Sequence, residues 1–188
     1  MEFFEMILLA VAILALLLGF ALLRRSQHRR RQLGLPNGDV FYQDHSGQPM
    51  AAVTLRSSAY GINGKPDCMI RNADGIIPIE FKKSAKPPAG GGVYPNHLIQ
   101  VLAYIVLVRE SYREPVPYGL VIYSGETARK VIPTAENLSW FAETVEQVRS
   151  ARGANAPDRS HSQQSRCRGC GLKQSCDQSL WMDQRVRS

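Results

Sequence analysis

The chain has 188 residues, which is room for one domain of ordinary size, or one domain plus an anchor. Lys and Arg total 23 against 16 Asp and Glu, a formal charge of +7, and 44% of residues are hydrophobic, which excludes a disordered chain. Four cysteines, three of them close together near the C-terminus, exclude a disulfide scaffold. The basic balance favours an anionic partner, either nucleic acid or an anionic membrane surface.

Residues 6–23 read MILLAVAILALLLGFALL without a charge. A helix needs about 20 such residues to cross a bilayer. Glu2 and Glu5 precede the stretch; Arg24, Arg25, Arg29, Arg30 and Arg31 follow it. A cleaved signal peptide starts basic and ends at a small-residue site, so this pattern predicts an uncleaved anchor over 1–23. The arginines place the N-terminus outside and the rest of the chain in the cytoplasm. Beyond Arg31 there are 18 Lys and Arg against 14 Asp and Glu, only mildly basic at +4. In a reducing compartment the cysteines read as metal ligands or core residues.

Residues 24–38 are expected to form a basic linker, 39–153 the main domain and 154–188 a cysteine-bearing segment. From Asp39 the pattern is one of short strands: VFYQD, AAVTLR, PDCMIR and IIPIEFK, separated by the turn signals HSGQP, NGKP and NADG. A Gly-rich loop covers 87–92, and a long apolar helix spans about 97–112. Two more strands follow at 118–124 and 128–133, then an amphipathic helix at 135–149 and a loop over 150–165. This order predicts a mixed α/β domain with a central sheet flanked by helices.

The strands around NADG carry the most information. Glu80 and Lys82 are two apart on one strand and share a face. With Ala73-Asp74 as the turn, Asp67 lies opposite Glu80. With Asp74-Gly75 as the turn, Asp67 lies opposite Lys82 and diagonal to Glu80. Both registers put the three on one face. Two carboxylates about 5 Å apart repel unless a cation lies between them, and hard oxygen donors suit Mg²⁺ or Mn²⁺. The same pattern fits an exposed face with a surface ion pair. Cys68, Ile70, Ile77, Ile79 and Phe81 are expected on the opposite, apolar face. Gln100 and Tyr104 lie four apart on one side of the apolar helix and need polar partners there.

GKPD, IEFKK and QVLAY, in that order, resemble the G-x-x-D, E-x-K and Q-x-x-x-Y motifs of RecB-like nucleases in the PD-(D/E)XK superfamily. Cys167-x2-Cys170-x5-Cys176 resembles the cysteine group of the CRISPR-associated RecB-like exonuclease branch. The resemblance covers roughly 39–180. It implies a restriction-endonuclease-like fold in which Asp67, Glu80 and the Phe81 carbonyl bind Mg²⁺ or Mn²⁺. Lys82 would assist the attacking water, and Gln100 and Tyr104 would face the site. The family places a further metal-binding His on a helix ahead of the strands; His28 and His45 are the candidates, His28 the better spaced.

The three cysteines imply an iron–sulfur cluster (4Fe-4S), with zinc as the alternative. The family's fourth, upstream cysteine is absent, since Cys68 points into the core, and His161 is the nearest replacement. Lys83, Lys86, Arg166 and Arg168, with Arg159 and Lys173, are expected along a phosphate backbone. The reading is a membrane-anchored, metal-dependent DNA nuclease, and the resemblance points to single-stranded DNA and exonuclease action. The alternative is a weak or inactive nucleic-acid-binding or iron–sulfur module at the membrane.

Overall fold

A computed structural model describes residues 2–32, 34–43, 54–124, 126–154 and 158–181. The chain divides into two compact units, 1–141 and 142–188.

The first unit opens with α1 (Glu2–Gln32). Its apolar side chains from Phe4 to Leu23 are mostly exposed, and the stretch Phe4–His28 is long and apolar enough to cross a membrane. The helix does not stop at Leu23. It runs through the arginines, so most of the expected linker is helical. Arg24 stacks over the Phe20 ring at 4.6 Å. Just past the helix end, the Leu35 amide donates to the Arg30 carbonyl, and Leu35 packs on the domain core.

Five strands form the main sheet: β1 (Asp39–Gln43), β4 (Cys68–Asn72), β5 (Gly75–Lys82), β6 (Gly119–Tyr123) and β7 (Thr127–Val131), in that spatial order. β5 and β6 are parallel and the other pairs antiparallel. The parallel pair requires a crossover, supplied by α2 (Pro95–Tyr112). Two short strands, β2 (Leu55–Ser57), which overlaps the end of the predicted strand AAVTLR, and β3 (Ile62–Gly64), which the sequence pattern missed, make a separate ribbon that also packs against α2. The predicted turn HSGQP and the start of AAVTLR lie outside the described residues, as does His45.

Both faces of the sheet are covered. On one, Cys68, Ile70, Ile77, Ile79, Leu120 and Ile122 form a closed apolar cluster. On the other, Met69, Ile76 and Val121 are buried on the side that takes α2's Val101, Leu102 and Ile105. The face that carries Asp67, Glu80 and Lys82 is therefore polar only at its end and apolar beneath α2. Six consecutive residues of β5 are buried, as in a central strand covered on both sides. Only the strand's end leaves the core. Phe81, expected in the apolar face, is 37% exposed there.

Among the glycines that set close approaches, Gly75 and Gly64 shape the hairpin and its contact with α2. Gly75 has φ +126°, and a Cβ there would meet the Pro115 carbonyl oxygen. Gly64 lies beneath α2: a Cβ would come within 2.9 Å of Leu107 and 3.1 Å of Tyr104. The glycine that opens GKPD therefore lets the helix bearing Tyr104 settle beside the strands.

A third helix, α3 (Ala135–Gly153), begins in the first unit, where Phe141 is buried edge-on to Tyr60. The second unit holds a short helix, α4 (Gln164–Arg168), and a run of turns.

Candidate active site

Asn72 pairs with Gly75, so Ala73-Asp74 is the two-residue turn. Cys68 pairs with Ile79, and the same register one step on sets Asp67 beside Glu80. The Phe81 amide donates to Asp67 Oδ2 at 2.7 Å, which fixes that carboxylate at the mouth of the hairpin.

Glu80 is 6% exposed. Its Oε1 accepts two hydrogen bonds, from Lys82 Nζ at 2.8 Å and from Gln100 Nε2 at 2.9 Å. Lys82 Nζ also donates to Gln100 Oε1 at 2.9 Å, and Gln100 Nε2 donates to Tyr104 Oη at 2.8 Å. Glu80, Lys82, Gln100 and Tyr104 thus form one connected network, built from β5 and one face of α2. The surface ion pair considered for the hairpin is corrected here, because the pair is largely buried and held from a second element.

Burial chiefly raises the Glu80 pKa above the ordinary glutamate range; Asp67 adds to this, and Lys82 opposes it. Burial likewise raises Tyr104, so it stays a neutral phenol. Cys68 is confirmed in the core, its thiol pushed up to about 11 by burial and then by Asp67.

One atom of the network is unsatisfied. Glu80 Oε2 is buried with no hydrogen-bond partner. A bare, buried carboxylate oxygen is costly unless a cation or donor meets it. With Asp67 beside it, the donor set is two hard carboxylates, which fits Mg²⁺ or Mn²⁺. His28 is not drawn in: it lies on an exposed stretch of α1. Among the described residues, no three His, Cys, Asp or Glu side chains are gathered as a metal-binding group. The metal site the residues support is therefore a two-carboxylate one.

Lys83 and Lys86 are exposed just beyond β5. Arg166 and Arg168 are exposed in the second unit. Two of the other expected phosphate contacts are already engaged inside that unit. The Arg159 guanidinium donates to the carbonyls of His161 and Gln178. Lys173 lies over the Trp181 ring at 4.5 Å and donates to the Arg168 carbonyl.

Cys167, Cys170, Cys176 and His161 line one hollow of about 390 Å³ in the second unit. The Cys170 sulfur accepts the Leu172 amide at 3.4 Å, and the Cys167 sulfur accepts the Leu180 amide at 3.5 Å. His161 Nδ1 is buried without a partner. The donors are of the right kind for zinc or an iron–sulfur cluster, but they are not gathered at coordinating positions. As the residues stand they do not make a preformed site for either group, and no catalytic step is derived through it.

Sequence reasoning missed His97 and Tyr123. His97 lies three residues before Gln100, on the same helical face, and that spacing was legible. Tyr123 comes from β6 and reaches the site only through the pairing of Lys82 with Tyr123.

A mixed sheet with an acidic hairpin and a glutamine-tyrosine helix crossing over it is the framework of a metal-dependent nuclease. The sequence profile of the PD-(D/E)XK nuclease superfamily matches residues 15–177, and the chain belongs to that superfamily, whose members are in general nucleases using Mg²⁺ or Mn²⁺. A search of curated proteins finds no significant match. The solved structure of SSO0001 aligns at 17% identity and a TM-score of 0.40, covering 89% of this chain and 72% of its own, a likeness too low to add to the assignment.

Proposed function

We propose that the chain is a metal-dependent DNA nuclease with Asp67, Glu80, Lys82, Gln100 and Tyr104 as its working residues. The observation that carries this is the buried Glu80 Oε2, beside Asp67 and without a hydrogen-bond partner, in a carboxylate whose other oxygen is held by Lys82 and Gln100. Asp67, Glu80 and the Phe81 carbonyl would hold Mg²⁺ or Mn²⁺. The ion supplies Lewis acidity toward a phosphate oxygen and a more acidic water.

The chain's own residues do the rest. Phe81 N–H keeps Asp67 in place. Gln100 fixes both Glu80 and Lys82, so neither must reorganise during the reaction. Lys82 keeps its ammonium beside the carboxylate pair, where it orients the attacking water and meets charge developing on the phosphate. Tyr104, a neutral phenol, holds Gln100 from the next turn. Lys83 and Lys86, exposed just beyond β5, would contact the phosphate backbone.

The finer reading is exonuclease action on single-stranded DNA at the cytoplasmic face of a membrane, with α1 as anchor and its arginines on the cytoplasmic side. The cysteine hollow is read as a separate metal-binding segment that closes around an iron–sulfur cluster or zinc on loading.

The test is cleavage of end-labelled DNA by the full chain in detergent, with Mn²⁺, beside Lys82→Ala. Cleavage by the parent alone supports the nuclease, and the labelled products give its polarity. Cleavage that survives in the variant, or none by the parent with either metal, rejects it.

A further inference from the structure

Beside the acidic network lies a second cluster to which the nuclease reading assigns no role. His97 sits in the first turn of α2, one turn ahead of Gln100. Its Nδ1 is 2.9 Å from the hydroxyl of Tyr123, a fully buried residue of β6. The Tyr94 amide donates to the same hydroxyl at 3.4 Å. The Tyr94 ring stands edge-on to His97 at 5.7 Å and to Tyr123 at 6.1 Å. Tyr123 is the register partner of Lys82, so the three rings adjoin the network directly.

The cluster has two faces of different chemistry. Tyr94 is 40% exposed, an aromatic ring at the edge of the site following the loop 87–92. The polar side is His97. Tyr123 Oη accepts from the Tyr94 amide, and its contact with His97 Nδ1 takes its direction from the imidazole tautomer; with the hydroxyl donating, the imidazole proton is on Nε2. Burial first, and the Lys82 charge second, hold the His97 pKa below its ordinary value, which favours this neutral form. On the same face of the sheet, Arg129 pairs with Val121, the residue that also pairs with Glu80, and its Nε is buried without a partner. A ring for stacking, an imidazole N–H and an unsatisfied guanidinium N–H together suit one ligand: a nucleotide unit with its base unpaired.

We infer that Tyr94, His97 and Arg129 seat the nucleotide next to the scissile phosphate, Tyr94 stacking its base and His97 and Arg129 its phosphate. The site thereby selects strands whose bases are unpaired. A base inside a duplex is already stacked on both sides and cannot lie on Tyr94. This rests on the nuclease reading and assigns that site its substrate form.

The experiment uses the full chain in detergent with a labelled single-stranded oligonucleotide and a blunt duplex of the same sequence. Binding is read by fluorescence anisotropy in Ca²⁺, and cleavage separately in Mn²⁺. Tyr94→Ala is expected to weaken single-strand binding about tenfold, the scale of one lost stack, and to raise KM by a similar factor with kcat little changed. Tyr94→Trp restores both. His97→Ala weakens single-strand binding as well. The duplex is bound weakly by all.

Equal binding of single strand and duplex by the parent overturns the inference. So does a Tyr94→Ala chain that binds and cleaves single strands like the parent, or a Tyr94→Trp chain no better than Tyr94→Ala. A parent that binds single strands through Tyr94 but cleaves nothing leaves the seat standing and removes the nuclease.

Discussion

The acidic network and the cysteine hollow both hold ligand-type side chains, in different states. The first brings two carboxylates, Asp67 and Glu80, together with Lys82, Gln100 and Tyr104; the second has three thiols and an imidazole lining one hollow. In the first, a strand pair and a helix deliver them, and Lys82 and Gln100, with Tyr104 behind Gln100, are joined to Glu80 Oε1 by hydrogen bonds while the buried Oε2 has no partner. In the second, a five-residue helix and a run of turns deliver them, and they line a wall without converging. Regular elements fix side-chain directions through backbone hydrogen bonds made elsewhere. Turns do so weakly, and a site built on them depends on its ion for closure.

The largest effect that would sharpen this contrast is on activity. Glu80→Ala and Lys82→Ala should each reduce Mn²⁺-dependent cleavage by about a hundredfold or more. Cys170→Ala should change it by about twofold or less while removing bound iron or zinc, read by metal analysis of the purified chain. If Cys170→Ala also abolished cleavage, the two regions would have to be treated as one site.

Next comes the ion's effect on the fold. Mn²⁺ at about a hundredfold over its Kd should stabilise the chain by about 2.7 kcal/mol, a shift of roughly 5–10 °C in a thermal melt, and Glu80→Ala should lose the shift. Because the Glu80 pKa is raised in the fold, Mn²⁺ affinity should increase as pH rises through that value and level off above it. Without metal the sign is opposite. The raised pKa adds stability that is complete below the ordinary glutamate value and is lost as pH rises through the folded one. Metal-free melts of Glu80→Gln across that window should be flatter with pH than those of the parent.

A third test addresses the scaffold. Gly64→Ala forces a methyl against Tyr104 and Leu107 and should cost about 1–3 kcal/mol, with loss of cleavage as Tyr104 moves. Gly90, with nothing near its missing Cβ, should accept Ala silently in the same melts. The smallest effect is expected at Arg71, paired with Glu114 at 2.9 Å on the surface under Phe41. Arg71→Ala should cost about 1 kcal/mol or less, showing how little a network contributes once water reaches it.

Much of the first region was legible in order. The NADG turn and the two-residue period of the flanking strands put Asp67, Glu80 and Lys82 on one face. The spacing of Gln100 and Tyr104 put them on one side of a helix. The strands at 118–124 and 128–133 correspond to β6 and β7, and the helix at 135–149 to most of α3. What misled was alternation: Ile76 and Pro78 share the Glu80 face of β5, and they are buried because a helix covers it. The linker misled too, since arginines are good helix formers and extend α1 past its apolar stretch.

The amino-acid sequence by itself determined what is local: the shared face of Asp67, Glu80 and Lys82, the helical face of Gln100 and Tyr104, and the apolar run of α1; the register of the hairpin, open between two turns, was set by the fold. The local features follow from periods of two and 3.6 residues and from turn chemistry, which act over a few positions. The tertiary structure alone decided what depends on chain returning from afar. Gln100 reaches Glu80 across 20 positions, and Tyr123 reaches His97 across 26. Burial of Glu80, its raised pKa and its one unsatisfied oxygen exist only because α2 crosses over the sheet and excludes water there.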